Sequence, residues 1–348
     1  MTLLKKAKPE MAFLKMGIYG EAGSGKTFTS TQVVIGLHKH IKSDKAIAFL
    51  DTETGSDFVS PIFKAEKVEL VVAKTRAFKD MLDVIDEAEK NCGILIIDSI
   101  THIWNEMCES YCRKNNLKRI TLNHWQPVKQ TWREFTKKYI NSALHIIMDG
   151  RSADKWEHVE DDEGAKELQK VGTKMRSETE IGYEPSLLVE MEQDRKSSRI
   201  GGGWINRAWV IKDRFNLLSH KHFDFEPFEG LEYRENAFKA FLPHIEMLNI
   251  GGKHRAIDME RTSDDMFKRD NPGKYKKQQI LLEEIKGEII LLYPGQDAES
   301  KKKKAELLKE VFGTLSWTNV EGMAIEDLEN GLKAIKKRVE KSNKEVKK

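Results

Sequence analysis

The chain has 348 residues, 39% of them hydrophobic, enough for one large domain with an appendage and the profile of an ordinary soluble protein. Its 59 basic and 56 acidic residues leave a formal net charge of +3, so charge as a whole neither demands nor forbids a nucleic-acid partner, and any such surface must be local. No run of about eighteen apolar residues marks a membrane span, and MTLLKKAKPEMAFLK lacks the apolar core of a secretory signal, so a cytoplasmic location with no membrane partner is expected.

Residues 12–19 (AFLKMGIY) form an apolar run, GEAGSGKT follows from Gly20 to Thr27, and a helix-compatible stretch occupies 27–40. Strand, glycine-rich loop and helix in that order are what a phosphate cradle needs. Glycines let backbone N–H groups turn toward phosphates, and the helix N-terminus adds partial positive charge. Gly20, Glu21, Ala22, Gly23, Ser24, Gly25, Lys26 and Thr27 are the candidate nucleotide-binding residues. Lys26 would reach the outer phosphates of ATP, and the Thr27 hydroxyl would serve Mg2+.

The next apolar run, 46–50, reads as a buried strand that ends in Asp51 and Glu53. A strand is expected over 68–72, and then a helix carrying Phe78, Met81, Leu82 and Ile85 at helical spacing. ILIID, 94–98, repeats the pattern of an apolar run closed by an acid. Three such alternations predict an α/β fold with a mainly parallel, helix-covered sheet. Helices are predicted over 104–115 and 127–139, the second with a core stripe of Val128, Trp132, Phe135 and Tyr139. Cys92, Cys108 and Cys112 are too sparse for a disulfide framework and fit reduced thiols, with Cys108 and Cys112 one helical turn apart.

Strands are expected over 144–148, 187–191, 208–211 and 223–225, with the polar segment 150–185 as a long loop. The sheet should finish near Phe228, before an amphipathic helix over 236–248. The polar stretch 251–277, broken by Gly251-Gly252 and Pro272-Gly273, reads as a linker. Helices then follow over 278–293, 300–312 and 325–339, and KSNKEVKK reads as frayed. The expected organisation is therefore a large α/β domain over 1–250, a linker over 251–277 and a C-terminal helical region over 278–348.

A phosphate loop alone does not separate a kinase, a GTPase and a motor. Asp98, closing an apolar strand, is suited to hold Mg2+ through water. Hydrolysis also needs a group that deprotonates water, and since Asp98 is followed by Ser99 and Ile100, Glu53 is the candidate catalytic base, with Asp51 its competitor. The order GEAGSGKT, AIAFLDTET, ILIIDSI is similar to the RecA-like ATPases, over roughly residues 12–228. HIIMDGR, GTKMRSETEIGYEP and the C-terminal LLKEVFGTLSWTNVEGMAIEDLENGL look most like phage-encoded members linked to single-strand annealing and recombination.

The resemblance implies further roles. In WVIKDR, Lys212 and Arg214 would be the basic pair that reaches ATP on a neighbouring subunit of a ring or filament, with a solvated surface pair as the competing reading. Single-stranded DNA would meet the segment 150–185 through Lys166, Lys170, Lys174 and Arg176, although EHVEDDEGAKE there would repel phosphates. The stretch 195–221, with GGGW, Trp204 and Trp209, is locally basic, and either base stacking or core packing explains it. The function expected is Mg2+-dependent ATP hydrolysis on DNA in phage-type recombination or annealing, in the bacterial host cytoplasm, alongside a recombination or single-strand binding protein. A helicase or helicase loader, and a nucleotide-gated assembly or defence ATPase that ignores nucleic acid, are the alternatives.

Overall fold

In β4 (Cys92–Asp98) the apolar run serves two cores at once: Ile94 and Ile96 pack into one cluster, Leu95 and Ile97 into another. Successive side chains of a strand point to opposite faces, so a strand buried on both sides reads as continuous hydrophobic sequence. The computed structural model of the protein describes residues 6–8, 10–160, 166–195, 203–225, 227–228, 232–233, 236–257, 272–295 and 297–345.

The chain runs β1 (Lys15–Gly20), α1 (Lys26–His40), β2 (Ala46–Asp51), α2 (Gly55–Ala65), β3 (Leu70–Lys74), α3 (Phe78–Asn91) and β4. It continues through α4 (Ile100–Lys114), α5 (Trp125–Asn141), β5 (His145–Glu160), β6 (Lys166–Met175), β7 (Leu187–Arg195), β8 (Trp204–Asp213), β9 (His222–Phe225) and α6 (Ala237–Glu246). The sheet order is β3-β2-β4-β5-β1-β7-β8-β9, with β6 paired to β5. The neighbours from β3 to β7 are parallel, and β8, β9 and β6 join antiparallel. Residues of α1, α2 and α6 fill one face (Val33, Phe63, Phe241); those of α3, α4 and α5 fill the other (Met81, Ile103, Phe135). Val128, Trp132, Phe135 and Tyr139 are all buried, and each large apolar side chain removed from water contributes roughly 1.5–3 kcal/mol.

Two expectations need correction, and the helix over 55–65, which carries Gly55 and Pro61, matches no element expected there. The strand expected over 68–72 lies at Leu70–Lys74; it is the sheet edge, where Val71 and Val72 stay exposed and a hydrophobic pattern locates a strand poorly. Most importantly, the polar segment 150–185 is not a long loop. Past Arg151, β5 leaves the sheet and pairs with β6 as a projecting hairpin. Its two faces are both solvated, so it lacks the apolar alternation that marks a strand, and cross-strand pairing such as Lys170 with Asp154 (2.6 Å) holds it.

Residues Met1–Asp258 form one compact unit and Met259–Lys348 a second. The second contains α7 (Pro272–Leu292), α8 (Ala298–Phe312), α9 (Trp317–Glu321) and α10 (Ile325–Glu345) around Leu282, Ile285, Leu308, Leu328 and Ile335. Asp297 caps α8 by accepting from Ser300 N at 2.9 Å, and Gly313 ends it at φ 71°. Of the expected linker, residues 258–271 lie outside those described, and 272–277 belong instead to α7. No helix among the described residues is long and apolar enough to cross a membrane.

Where β5 begins, His145 is 3% exposed and its Nδ1 accepts from Leu14 N at 2.9 Å, a bond available only to the neutral ring. Burial, with the charge of Lys15, lowers its pKa to about 4 from an ordinary 6.5. Below 6.5 the unfolded chain therefore binds the proton that the fold refuses, so stability is lost as pH falls through that window. The wild type should lose about 2 kcal/mol more than His145→Gln between neutral pH and about pH 5, measured by urea unfolding.

Candidate functional site

The parallel strands open at their carboxyl ends onto a cavity of about 860 Å³ lined by the glycine-rich loop, Glu53, Asp98 and Arg151. Backbone geometry explains the loop composition. A side chain at Gly20 would stand 2.1 Å from the Met191 carbonyl oxygen, and Gly23 and Gly25 have φ of 80° and 87°, where only glycine is unstrained. Gly25 precedes α1 and supplies no side-chain cap, and no acidic residue sits in the first turn. The helix end is thus kept for an external anion.

Lys26 Nζ folds back onto the Glu21 carbonyl oxygen at 2.7 Å. Burial lowers its pKa against the opposing pull of Asp149, Asp98 and Glu53, so this cation gains from an incoming anion. Ser24 is buried and donates to the Glu21 carbonyl oxygen at 2.8 Å, a brace beneath the loop. Thr27 Oγ1 donates to Asp98 Oδ2 at 2.6 Å across the floor. Burial raises the Asp98 pKa to about 6 against the Thr27 bond. A hydroxyl facing a desolvated carboxylate is a donor set that suits a hard divalent cation, and these two residues would hold Mg2+.

The two acids at the end of β2, Asp51 and Glu53, have different surroundings. Asp51 is 2% exposed; Oδ1 accepts from Glu53 N at 3.0 Å and Gly55 N at 3.1 Å, while Oδ2 accepts from Ser56 N at 3.0 Å and from Ser56 Oγ at 2.5 Å. Burial alone would raise its pKa, and these donors outweigh it, so Asp51 builds the entry to α2. Glu53 instead lines the cavity. Its Oε1 accepts from Arg151 Nε at 3.2 Å and lies 3.4 Å from His102 Nε2. Burial pushes its pKa up, but Arg151 and His102 bring the net shift below the ordinary carboxylate value.

Lys212 and Arg214 are not part of this cavity. Lys212 pairs with Leu188 and Asp213 with Leu187, while Leu187 stands beside Met16 near the start of β1, so the pair sits at the sheet end remote from Gly20. Lys212 Nζ and Arg214 Nη2 both donate to the Tyr183 carbonyl oxygen, at 2.6 and 2.8 Å. Burial and the Arg214 charge lower Lys212 to about 8. Lys170 and Lys174 lie on the hairpin, Arg176 at its root lines the cavity, and the Lys166 side chain lies outside the described residues.

A model of the AAA domain matches residues 12–220, more than half of the chain. The chain belongs to the AAA domain family. No curated protein matches the sequence. An AAA domain is an ATP-binding module of the ATPase type, and the P-loop core with its mostly parallel sheet and C-terminal helices fits it.

Within this AAA domain, Asp149 is a site residue that the sequence alone did not single out. It sits on β5 between Asp98 and Ile18 in register, wholly buried, and accepts from Ser30 Oγ at 2.6 Å. Its Oδ2 has no partner among the described residues, and burial, with the nearby Asp98 charge, holds its pKa well above the ordinary carboxylate value. HIIMDGR does repeat the apolar-run-then-acid signal of ILIID, which could have found it. Ser30→Ala should cost about 1–3 kcal/mol in urea unfolding by leaving Asp149 without its donor, while Asp149→Asn, isosteric and uncharged, should unfold near the wild-type midpoint.

Proposed function

We propose that the protein is a Mg2+-dependent ATPase of the RecA-like type that assembles on DNA and serves phage-type recombination or single-strand annealing in the cytoplasm. The observation that carries the hydrolytic part is the meeting of Lys26, Thr27, Asp98 and Glu53 at one cavity, from separate points in the chain. Lys26 and the α1 N-terminus would hold the outer phosphates, and Thr27 and Asp98 would hold Mg2+, which supplies positive charge to the phosphate oxygens when bound. Glu53 would accept a proton from water as its oxygen bonds to the terminal phosphorus and the bond to the bridging oxygen breaks, releasing ADP and phosphate.

The DNA reading is supported by the two hairpins β5–β6 and β7–β8. Both extend strands flanking β1 and so project from the cavity end of the sheet, with exposed Trp156 and Trp204 and with Lys155, Lys170 and Lys174. Aromatic faces among basic side chains suit single strands. The position of Lys212 and Arg214 at the far sheet end supports a role toward a neighbouring subunit in a ring or filament.

Lys26→Ala should weaken ATP binding roughly 30-fold or more. Glu53→Gln should bind ATP and lose about 10²–10⁴ in kcat. Wild-type turnover by Glu53→Gln would remove the base assignment. Single-stranded DNA should stimulate the wild-type ATPase; DNA-independent turnover without a mobility shift at low salt would favour the assembly or defence reading.

Sharing of the site is tested by mixing. A Lys26→Ala subunit still offers its basic pair, and a Lys212→Ala/Arg214→Ala subunit still binds ATP, so the co-assembled mixture should regain activity that neither has alone. A mixture shown by light scattering to co-assemble yet inactive would place Lys212 and Arg214 in the support of their own subunit.

A further inference from the structure

The cavity holds a cation that the phosphate cradle does not use. Arg151 stands opposite Gly20 in the β1–β5 register, where β5 leaves the sheet. Its backbone is pinned: Arg151 N donates to Thr101 Oγ1 at 3.0 Å, and its carbonyl oxygen accepts from Arg176 N at 2.7 Å. The side chain is half-exposed on the cavity wall and bonded to Glu53 through Nε at 3.2 Å. His102, from α4, faces the same carboxylate oxygen, but burial outweighs the pull of Glu53 and lowers its pKa, so Arg151 is the permanent positive charge of the pair. Lys26, Asp98 and Asp149 are further titratable groups within electrostatic reach of Glu53.

A guanidinium on a fixed backbone and a flexible stem, set between a carboxylate and a phosphate site, has two anions competing for it. Without nucleotide only Glu53 is present. A terminal phosphate brings more charge and three acceptor oxygens to the same wall, whereas a diphosphate ends one group short.

We propose that Arg151 is a positioning residue that holds the Glu53 carboxylate while no terminal phosphate is present and passes its guanidinium to that phosphate when a nucleoside triphosphate enters, freeing Glu53 for water. This rests on the reading of Glu53 as the water-activating base. The exchange breaks no covalent bond. It makes the base available only when the group to be attacked has arrived.

The test is a double-mutant cycle read by displacement of a fluorescent nucleotide with ADP and with a non-hydrolysable ATP analogue, both with Mg2+. In the wild type the triphosphate must draw Arg151 from Glu53; in Glu53→Gln that competitor is uncharged. Glu53→Gln should therefore raise the preference for triphosphate over diphosphate roughly two- to fivefold, the range of a half-exposed ion pair. In the Arg151→Ala background the same change should leave the preference where it was. Arg151→Lys should restore part of the coupling, whereas Arg176→Ala, which removes another cation from the same cavity, should leave it intact. Equal tightening by Glu53→Gln with and without Arg151 would overturn the proposal, because loss of carboxylate repulsion would then account for the whole effect. Failure of the underlying reading looks different: Glu53→Gln would turn over ATP at the wild-type rate, whatever the Arg151 variants do.

Discussion

The parallel register of β4, β5 and β1 is the constraint on which the site depends. It sets Asp98 beside Asp149 and Arg151 beside Gly20, so the metal-binding candidate, a buried acid, an arginine and the first loop glycine share the carboxyl end of the central strands. Parallel strands need crossover connections, and those helices cover both faces. The cavity can therefore open only where strands end and helices begin. Thr27 reaches Asp98 at 2.6 Å although 71 residues separate them, because α1 starts at the end of β1 and β4 lies two strands away.

Charge at this end of the sheet is arranged so that an anion improves it. Glu53, Asp98 and Asp149 face Lys26 and Arg151 in a partly desolvated space. Burial disfavours the charged form of Asp149, and Asp98 is partly relieved by the Thr27 hydroxyl. Lys26, meanwhile, makes do with a backbone carbonyl. An incoming anion would give Lys26 a stronger partner than that carbonyl.

What the sequence revealed and what it hid follow from the range of the interactions. GEAGSGKT could be read because its chemistry is local: glycine conformation and a helix start lie within eight residues. Buried strands could be read because a short, unbroken apolar run needs cover on both faces, which the middle of a helix-covered sheet provides. The β5–β6 hairpin could not, since a strand solvated on both faces has no hydrophobic signature. Position alone favours Glu53 over Asp51, whereas the engagement of both Asp51 oxygens by the entry to α2 shows only in the three-dimensional turn. Arg151 stayed hidden for a different reason: its partner is 98 residues away in sequence.

A second polar constellation shows why burial has to be weighed with geometry. Ser186 Oγ lies 3.0 Å from His244 Nε2, and His244 Nδ1 lies 2.6 Å from Asp213 Oδ1, the spacing of a hydrolytic triad. Yet Ser186 is 1% and His244 0% exposed, and the serine hydroxyl also bonds the Lys15 carbonyl oxygen at 3.1 Å. No substrate carbonyl can reach that oxygen, and a nucleophile needs access before it needs a base. Asp213 also accepts from Phe215 N, Leu217 N and Leu218 N, which makes it the organiser of the turn after β8. His244, on α6, thereby ties that helix to the ends of β1, β7 and β8. The same residue types that would cleave an ester at a surface act here as a fully satisfied strut, and they fix the far end of the sheet from whose other end the nucleotide cavity opens.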